Sequence, residues 1–169
     1  MNDGTPVAQG HTMPELLAML GIAAVLAAAA IPVFSNLVLE SRMNAAVATA
    51  MHAINLARQF SATRSEADQL CGSDDSRHCS NRTDWTGGLL LTGEPDRFAQ
   101  RLDLPQGGSP RLRSNRSTLE FQAGTGFATP ATLTLCDRRG TRAARAVIVS
   151  RSGRPRTSLR DGSDHALTC

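Results

Sequence analysis

Leu16–Phe34 reads LLAMLGIAAVLAAAAIPVF, nineteen residues without a charge or a hydrogen-bonding side chain. At about 1.5 Å per residue a helix of that length reaches roughly 28 Å, close to the thickness of a bilayer's hydrocarbon core. The stretch therefore predicts a membrane-spanning helix. Directly before it stand Gly10-His11-Thr12-Met13-Pro14-Glu15. A carboxylate at the edge of an apolar helix costs about 2–3 kcal/mol unless it is paired, so Glu15 implies a partner cation. An ordinary secretory signal is a competing reading, with Ala27-Ala28-Ala29 as its small-residue cleavage site and a mature chain beginning beyond residue 28. Such signals carry a basic n-region, whereas residues 1–15 hold Asp3 and Glu15 and no arginine. A plain single-span anchor explains the length but neither Gly10 nor Glu15.

Beyond Pro32 no glycine or proline occurs before Gly72, and Met43, Val47, Ala50, Ile54 and Ala57 recur at spacings of four, three, four and three. The pattern is that of an amphipathic helix continuing the span. From Met13 to about Ala62 such a helix would run about 75 Å, with a gentle bend at Pro32. Strands are expected over Trp85–Thr92, Arg111–Ser114, Thr118–Ala123, Ala131–Asp137 and Ala143–Ser150. Leu119 with Phe121, and Leu133 with Leu135, alternate against polar neighbours as half-buried strands do. Gly107-Gly108 and Gly124-Thr125-Gly126 supply turns. One long helix followed by short strands gives an α+β chain, with an antiparallel sheet covering the exposed half of the helix. The expected segments are a leader over 1–10, a membrane helix over 11–39, an amphipathic continuation over 40–66 and a β-rich globular domain with a basic tail over 67–169.

Four cysteines, at 71, 79, 136 and 169, in a chain carried past a membrane predict disulfides. Three pairings are possible. Cys71 with Cys79 and Cys136 with Cys169 are favoured because they close short or terminal segments, constraining the unfolded chain by about 2.5 and about 4 kcal/mol. The alternative, zinc held by Cys71, His78 and Cys79, lacks a fourth ligand at the usual spacing. From Cys71 to Asp84 the residues are polar and turn-forming and read as a disulfide-closed loop. His52, His78 and His165 fall into no Ser-His-Asp or Cys-His spacing, and no phosphate loop, dinucleotide fingerprint or calcium loop occurs. The expectation is a non-enzymatic protein without cofactor or metal.

All eighteen basic residues are arginines. Arg111 to Arg160 holds eleven of them against Glu120 and Asp137, a local charge of +9, whereas the remainder carries seven arginines and thirteen acids, −6, which recovers the chain's +3. Within the basic part, Arg151-Ser152-Gly153-Arg154-Pro155-Arg156-Thr157-Ser158-Leu159-Arg160 offers a mechanism. Pro155 fixes its own φ and biases Arg154 towards extended backbone, so Arg154 and Arg156 should project to one side about 6.5 Å apart. Two guanidinium groups at that separation suit neighbouring phosphates, and Gly153 permits a tight turn or a close backbone approach. The competing reading is a set of arginines that merely solvates an exposed hairpin. With one tryptophan, no tyrosine and no aromatic among residues 128–169, composition argues against base stacking and for backbone-directed, sequence-tolerant binding.

The Gly10-to-Glu15 pattern resembles the type III signal of type IV prepilins, in which a peptidase cuts after the glycine. The resemblance implies a mature chain beginning at His11, with Glu15 at its fifth place and Pro32 at its twenty-second, as in that family. It also implies that Glu15 meets the free, often methylated, amino terminus of a neighbouring subunit. His11 stands where phenylalanine is usual, Pro14 is atypical and the leader lacks a basic residue. Asp84-Trp85-Thr86-Gly87-Gly88, Ser114-Asn115-Arg116, Thr134-Leu135-Cys136 and Ser152-Gly153-Arg154-Pro155-Arg156 further resemble the FimT/GspH family of minor pilins and pseudopilins over nearly the whole chain. That resemblance implies a pilin-like fold, an inner-membrane protein with its globular domain in the periplasm, and assembly with other pilins after cleavage by prepilin peptidase. In the FimT branch a Gly-Arg-x-Arg motif is associated with DNA binding during natural transformation. Gly153, Arg154 and Arg156 match it, and Arg151 and Arg160 join them on charge. A GspH-like pseudopilin with a structural role in type II secretion is the alternative.

Overall fold

The computed structural model describes residues 12–64, 67–93, 98–105 and 110–169, so Gly10, His11 and the Gly107-Gly108 turn lie outside the described residues. The chain divides into two compact units, Met1–Val38 and Leu39–Cys169. Helix α1 (Met13–Arg64) provides the described secondary structure of the first unit and the opening of the second. Pro14 falls in its first turn, where a missing N–H leaves no helical hydrogen bond unmade. Thr12 and Glu15 close that turn. Glu15 Oε2 accepts from the Thr12 backbone N–H at 3.2 Å and from its hydroxyl at 3.3 Å, while the Thr12 carbonyl accepts from the Glu15 N–H at 3.0 Å. This reciprocal cap gives Glu15 donors within its own chain. Leu16, Leu20, Ile22, Leu26 and Phe34 are exposed, and the helix is long and apolar enough to cross a membrane.

In the second unit the helix changes character. Met43, Ala46, Ala50, Ala53, Ile54 and Ala57 are fully buried along one stripe, and Val47 packs against its margin half-buried. Eight strands follow: β1 (Asp68–Gly72), β2 (Leu89–Gly93), β3 (Phe98–Leu102), β4 (Arg111–Ser114), β5 (Thr118–Phe121), β6 (Ala131–Cys136), β7 (Arg145–Val149) and β8 (Pro155–Ser158). They form two antiparallel four-stranded sheets, ordered β3-β2-β1-β5 and β4-β6-β7-β8, where one sheet was expected. Alternate residues of each, Leu70, Leu89, Leu91, Leu119 and Phe121 in the first and Leu112, Leu133, Leu135, Val147 and Val149 in the second, join the helical stripe in a single core.

β1, β3 and β8 are not among the expected strands, and β2 and β7 begin later than expected. β1 includes Cys71, assigned to a loop, yet it lies inside the first sheet with β2 and β5 on either side. Trp85 precedes β2 instead of opening it. It is fully buried against Gly72, where an added Cβ would lie 2.5 Å from the indole Cδ1, and its Nε1–H donates to the Arg82 carbonyl at 3.0 Å. Residues Gly140–Ala143 form a short 3-10 helix, so β7 begins only at Arg145.

The 3-10 segment is tied to α1 by charge. Glu40 accepts from Arg139 Nη1 at 2.8 Å and from Arg145 Nη2 at 3.3 Å, and Asp137, its side chain 1 % exposed, takes Arg139 Nη2 at 2.7 Å. Burial pushes the Asp137 carboxyl up, but the hydrogen bonds and charge of Arg139 outweigh it and hold the group below its ordinary value. A carboxyl depressed by folding stabilises the native state above the unfolded-state pKa, about 4, and that contribution disappears as pH falls through the lower folded value. Denaturant unfolding at pH 7 and pH 3 is therefore expected to show a loss of stability in acid that is smaller in Asp137→Asn. An equal loss in both proteins would remove Asp137 from the account.

Candidate functional site

Residues Ser150–Arg154 form the tight connection between β7 and β8. The Ser150 N–H donates to the Arg154 carbonyl at 3.1 Å, and the Gly153 N–H donates back to the Ser150 carbonyl at 2.9 Å. Gly153 sits at φ +72, a left-handed conformation that glycine adopts without steric cost. It is also packed shut: an added Cβ would collide with the Gly126 carbonyl oxygen and lie 3.0 Å from Arg58 Cδ. Both properties expected of Gly153, the tight turn and the close backbone approach, coincide there.

A second turn, Gln122–Phe127, supports the hairpin from below. The Ala128 N–H donates to the Arg151 carbonyl at 2.9 Å, and the Gly124 N–H donates to the Ser61 carbonyl of α1 at 2.8 Å. Gly126, at φ +66, lies against the Arg58 carbonyl and side chain. Helix, turn and hairpin thus meet around the stem of Arg58. Its Nε is buried without a hydrogen-bond partner among the described residues, while the residue as a whole keeps partial exposure. Arg58 lies outside the basic Arg111–Arg160 segment, and only its contacts with Gly126 and Gly153 reveal it.

Four arginines are held in ion pairs, and the hairpin arginines, like Arg42, Arg77, Arg82, Arg111, Arg113, Arg138 and Arg142, are not, among the described residues. Arg101 pairs with Asp103, Arg139 with Asp137 and Glu40, Arg145 with Glu40, and Arg160 with Asp164 at 3.7 Å. Arg58, Arg151, Arg154 and Arg156 have no ion pair or side-chain hydrogen bond among the described residues. Arg154 and Arg156 are both exposed, Arg156 within β8 and Arg154 immediately before it. Arg156 pairs in register with Ile148 and borders a groove of about 710 Å³ over the outer face of the second sheet, with Arg113 of β4 at the opposite edge.

Arg160 is engaged differently. It belongs to a terminal strap in which its Nη1 donates to the Asp164 carbonyl at 2.8 Å, and Asp161 caps the Ser163 and His165 N–H groups at 2.8 Å each. Those backbone donors hold the Asp161 carboxyl below its usual value. Leu167 anchors the strap beside Ala144, Ala146 and Ile148, and the Cys136–Cys169 bridge, with Cα atoms 5.8 Å apart, closes it. The other bridge joins Cys71 to Cys79, Cα–Cα 5.6 Å. With those sulfurs bonded to each other the zinc alternative fails, and His78 Nδ1 instead meets Asp75 Oδ2 at 2.7 Å.

The family described as "Type II transport protein GspH" matches residues 46–153, more than half of the chain. The chain belongs to the GspH family. The match ends at Gly153, so Arg154 and Arg156 lie just past it. No curated protein is similar enough to count as a relative. The GspH-family fold seen here is shared with the type IV minor pilin FimU of Pseudomonas aeruginosa strain PAO1, solved in two crystal forms. The first is 15% identical with a TM-score of 0.53, covering 72% of this chain and 98% of that one. The second is 17% identical with a TM-score of 0.53, covering 77% and 96%.

Proposed function

We propose that this GspH-family chain is a FimT-like minor pilin that enters a type IV pilus and holds DNA by its phosphates during uptake. Arg151, Arg154 and Arg156 supply the contacts, and Arg58 adds a fourth cation. The observation that carries the proposal is the hairpin itself, whose Arg151, Arg154 and Arg156 are exposed and without carboxylate partners among the described residues, with Arg58 packed beneath its Gly153. Arg160, held by Asp164, takes a lesser part. In this reading prepilin peptidase cuts after Gly10 and frees His11. Glu15 exchanges its intrachain cap for the amino terminus of a neighbouring pilin, and the Leu39–Cys169 unit faces the periplasm from the inner membrane.

Neutralising about four phosphates of duplex DNA releases their counterions, which gives a log–log salt slope near −3.6. Titrating the detergent-solubilised full chain with a short duplex at several ionic strengths measures it. A flat salt response, or no binding in dilute buffer, removes the DNA role. The family's description supports a second reading, a minor pseudopilin that shapes the short filament of type II secretion, with the same arginines contacting subunits. A type II secretion operon around the gene would favour that reading, and a pilus or competence cluster the first.

A further inference from the structure

Phe127 is an aromatic ring left 51 % exposed outside the apolar span, at the end of the turn that supports the arginine hairpin. It shares with Arg151 a groove of about 670 Å³, whose lining also includes Glu120, Gln122 and Pro130. The ring is carried on a fixed backbone. The Phe127 carbonyl accepts from the Gln122 N–H at 2.7 Å, its N–H donates to Thr125 Oγ1 at 3.3 Å, and the next residue's N–H is bonded to the Arg151 carbonyl at 2.9 Å. An exposed aromatic beside an unpaired arginine is the pairing that single-stranded nucleic acid requires. The cation takes the phosphate, and the ring takes the face of an unstacked base. In a duplex the base faces are already stacked on one another and cannot reach it.

Resting on the DNA reading above, we infer that the groove between Phe127 and Arg151 binds an unpaired nucleobase, so that the chain holds single strands through a base contact in addition to the phosphate contacts it makes with duplex. The absence of aromatics from residues 128–169 argued against stacking. Phe127 lies one position outside that window, and only folding places it beside Arg151.

The test uses the full chain in detergent micelles with three probes of equal length: oligothymidylate, the same backbone with abasic sites, and a duplex. Wild-type protein is expected to prefer oligothymidylate over the abasic strand by roughly 5- to 150-fold, the range of one base on one aromatic. Its salt slope on oligothymidylate should be near −2.8, against −3.6 on duplex. Phe127→Leu keeps an apolar side chain at an exposed position; it should lose the preference and retain duplex affinity. In Phe127→Trp the new indole should be quenched by oligothymidylate and not by the abasic strand, since Trp85 is fully buried. If Phe127→Leu binds oligothymidylate as wild type does, or the abasic strand binds equally well, the base site is excluded while the phosphate reading stands. If none of the three probes binds, both fall together.

Discussion

Reversing Arg154 and Arg156 to glutamate is expected to weaken duplex binding by at least about 60-fold at 0.1 M salt and to halve the salt slope from about −3.6 to about −1.8. Each phosphate contact contributes about 0.9 of a decade at that ionic strength through counterion release, and two are lost. The new carboxylates add repulsion, which makes the figure a lower bound. Because both side chains are exposed and unpaired among the described residues, the fold should be untouched, and the thermal midpoint provides that control. Arg160→Glu serves as the internal comparison. Its partner Asp164 is exposed and the pair sits apart from the hairpin, so a smaller effect is expected. Equal effects at 154, 156 and 160 would mean diffuse attraction to a basic surface instead of a site. No effect at any of them would leave the arginines to subunit contacts and favour the pseudopilin reading. In the organism, transformation frequency should fall with duplex affinity if the protein acts in uptake.

Removing the terminal bridge as Cys136→Ser with Cys169→Ser is expected to cost about 4 kcal/mol. The bridge spans a sequence separation of 33, and closing a loop of that size removes roughly 12 cal/mol/K from the unfolded chain. For a unit of this size the midpoint should fall by on the order of 10–20 °C. The native consequence is local. Leu167 loses its tether beside Ala144, Ala146 and Ile148, and the strap carrying Arg160 is released, while Ser150–Arg154 keeps its own hydrogen bonds. Thermal unfolding and duplex titration of the same preparation therefore separate the two roles: stability should fall steeply, and the salt slope by less than about one unit. The Cys71–Cys79 bridge, with a separation of 8, should cost about 2.5 kcal/mol by the same measure. A midpoint shift of only a few degrees for the terminal pair would show that the strap is held by packing alone.

Much of this architecture was legible in residue order because it depends on local periodicity. The uncharged run Leu16–Phe34 and the four-three recurrence of Met43, Ala50, Ile54 and Ala57 describe one helix whose environment changes, and both follow from side chains that neighbours along the chain place on one face. β4 lies where it was expected, and β5 and β6 end a residue or two early, because their alternation reports one buried face. β1, β3 and β8 escaped. Asp68-Gln69-Leu70-Cys71-Gly72 has no alternation to read, since both of its edges are paired and even Asp68 is buried, and backbone hydrogen bonding with distant strands makes it extended. Phe98-Ala99-Gln100-Arg101-Leu102 and Pro155-Arg156-Thr157-Ser158 lack the alternation of apolar and polar residues that marks β4 and β5.

The site divides along the same line. By itself the sequence determined that positive charge gathers late in the chain and that Gly153 marks a tight turn, both consequences of composition and local geometry. Which arginines are already neutralised was decided by tertiary structure, because Glu40 meets Arg139 and Arg145 across about a hundred residues of chain. So was the assembly of Arg58, Phe127 and Arg151, drawn from a helix, a turn and a hairpin. Ion pairing and groove formation depend on distance in space, and no periodicity along the chain records it.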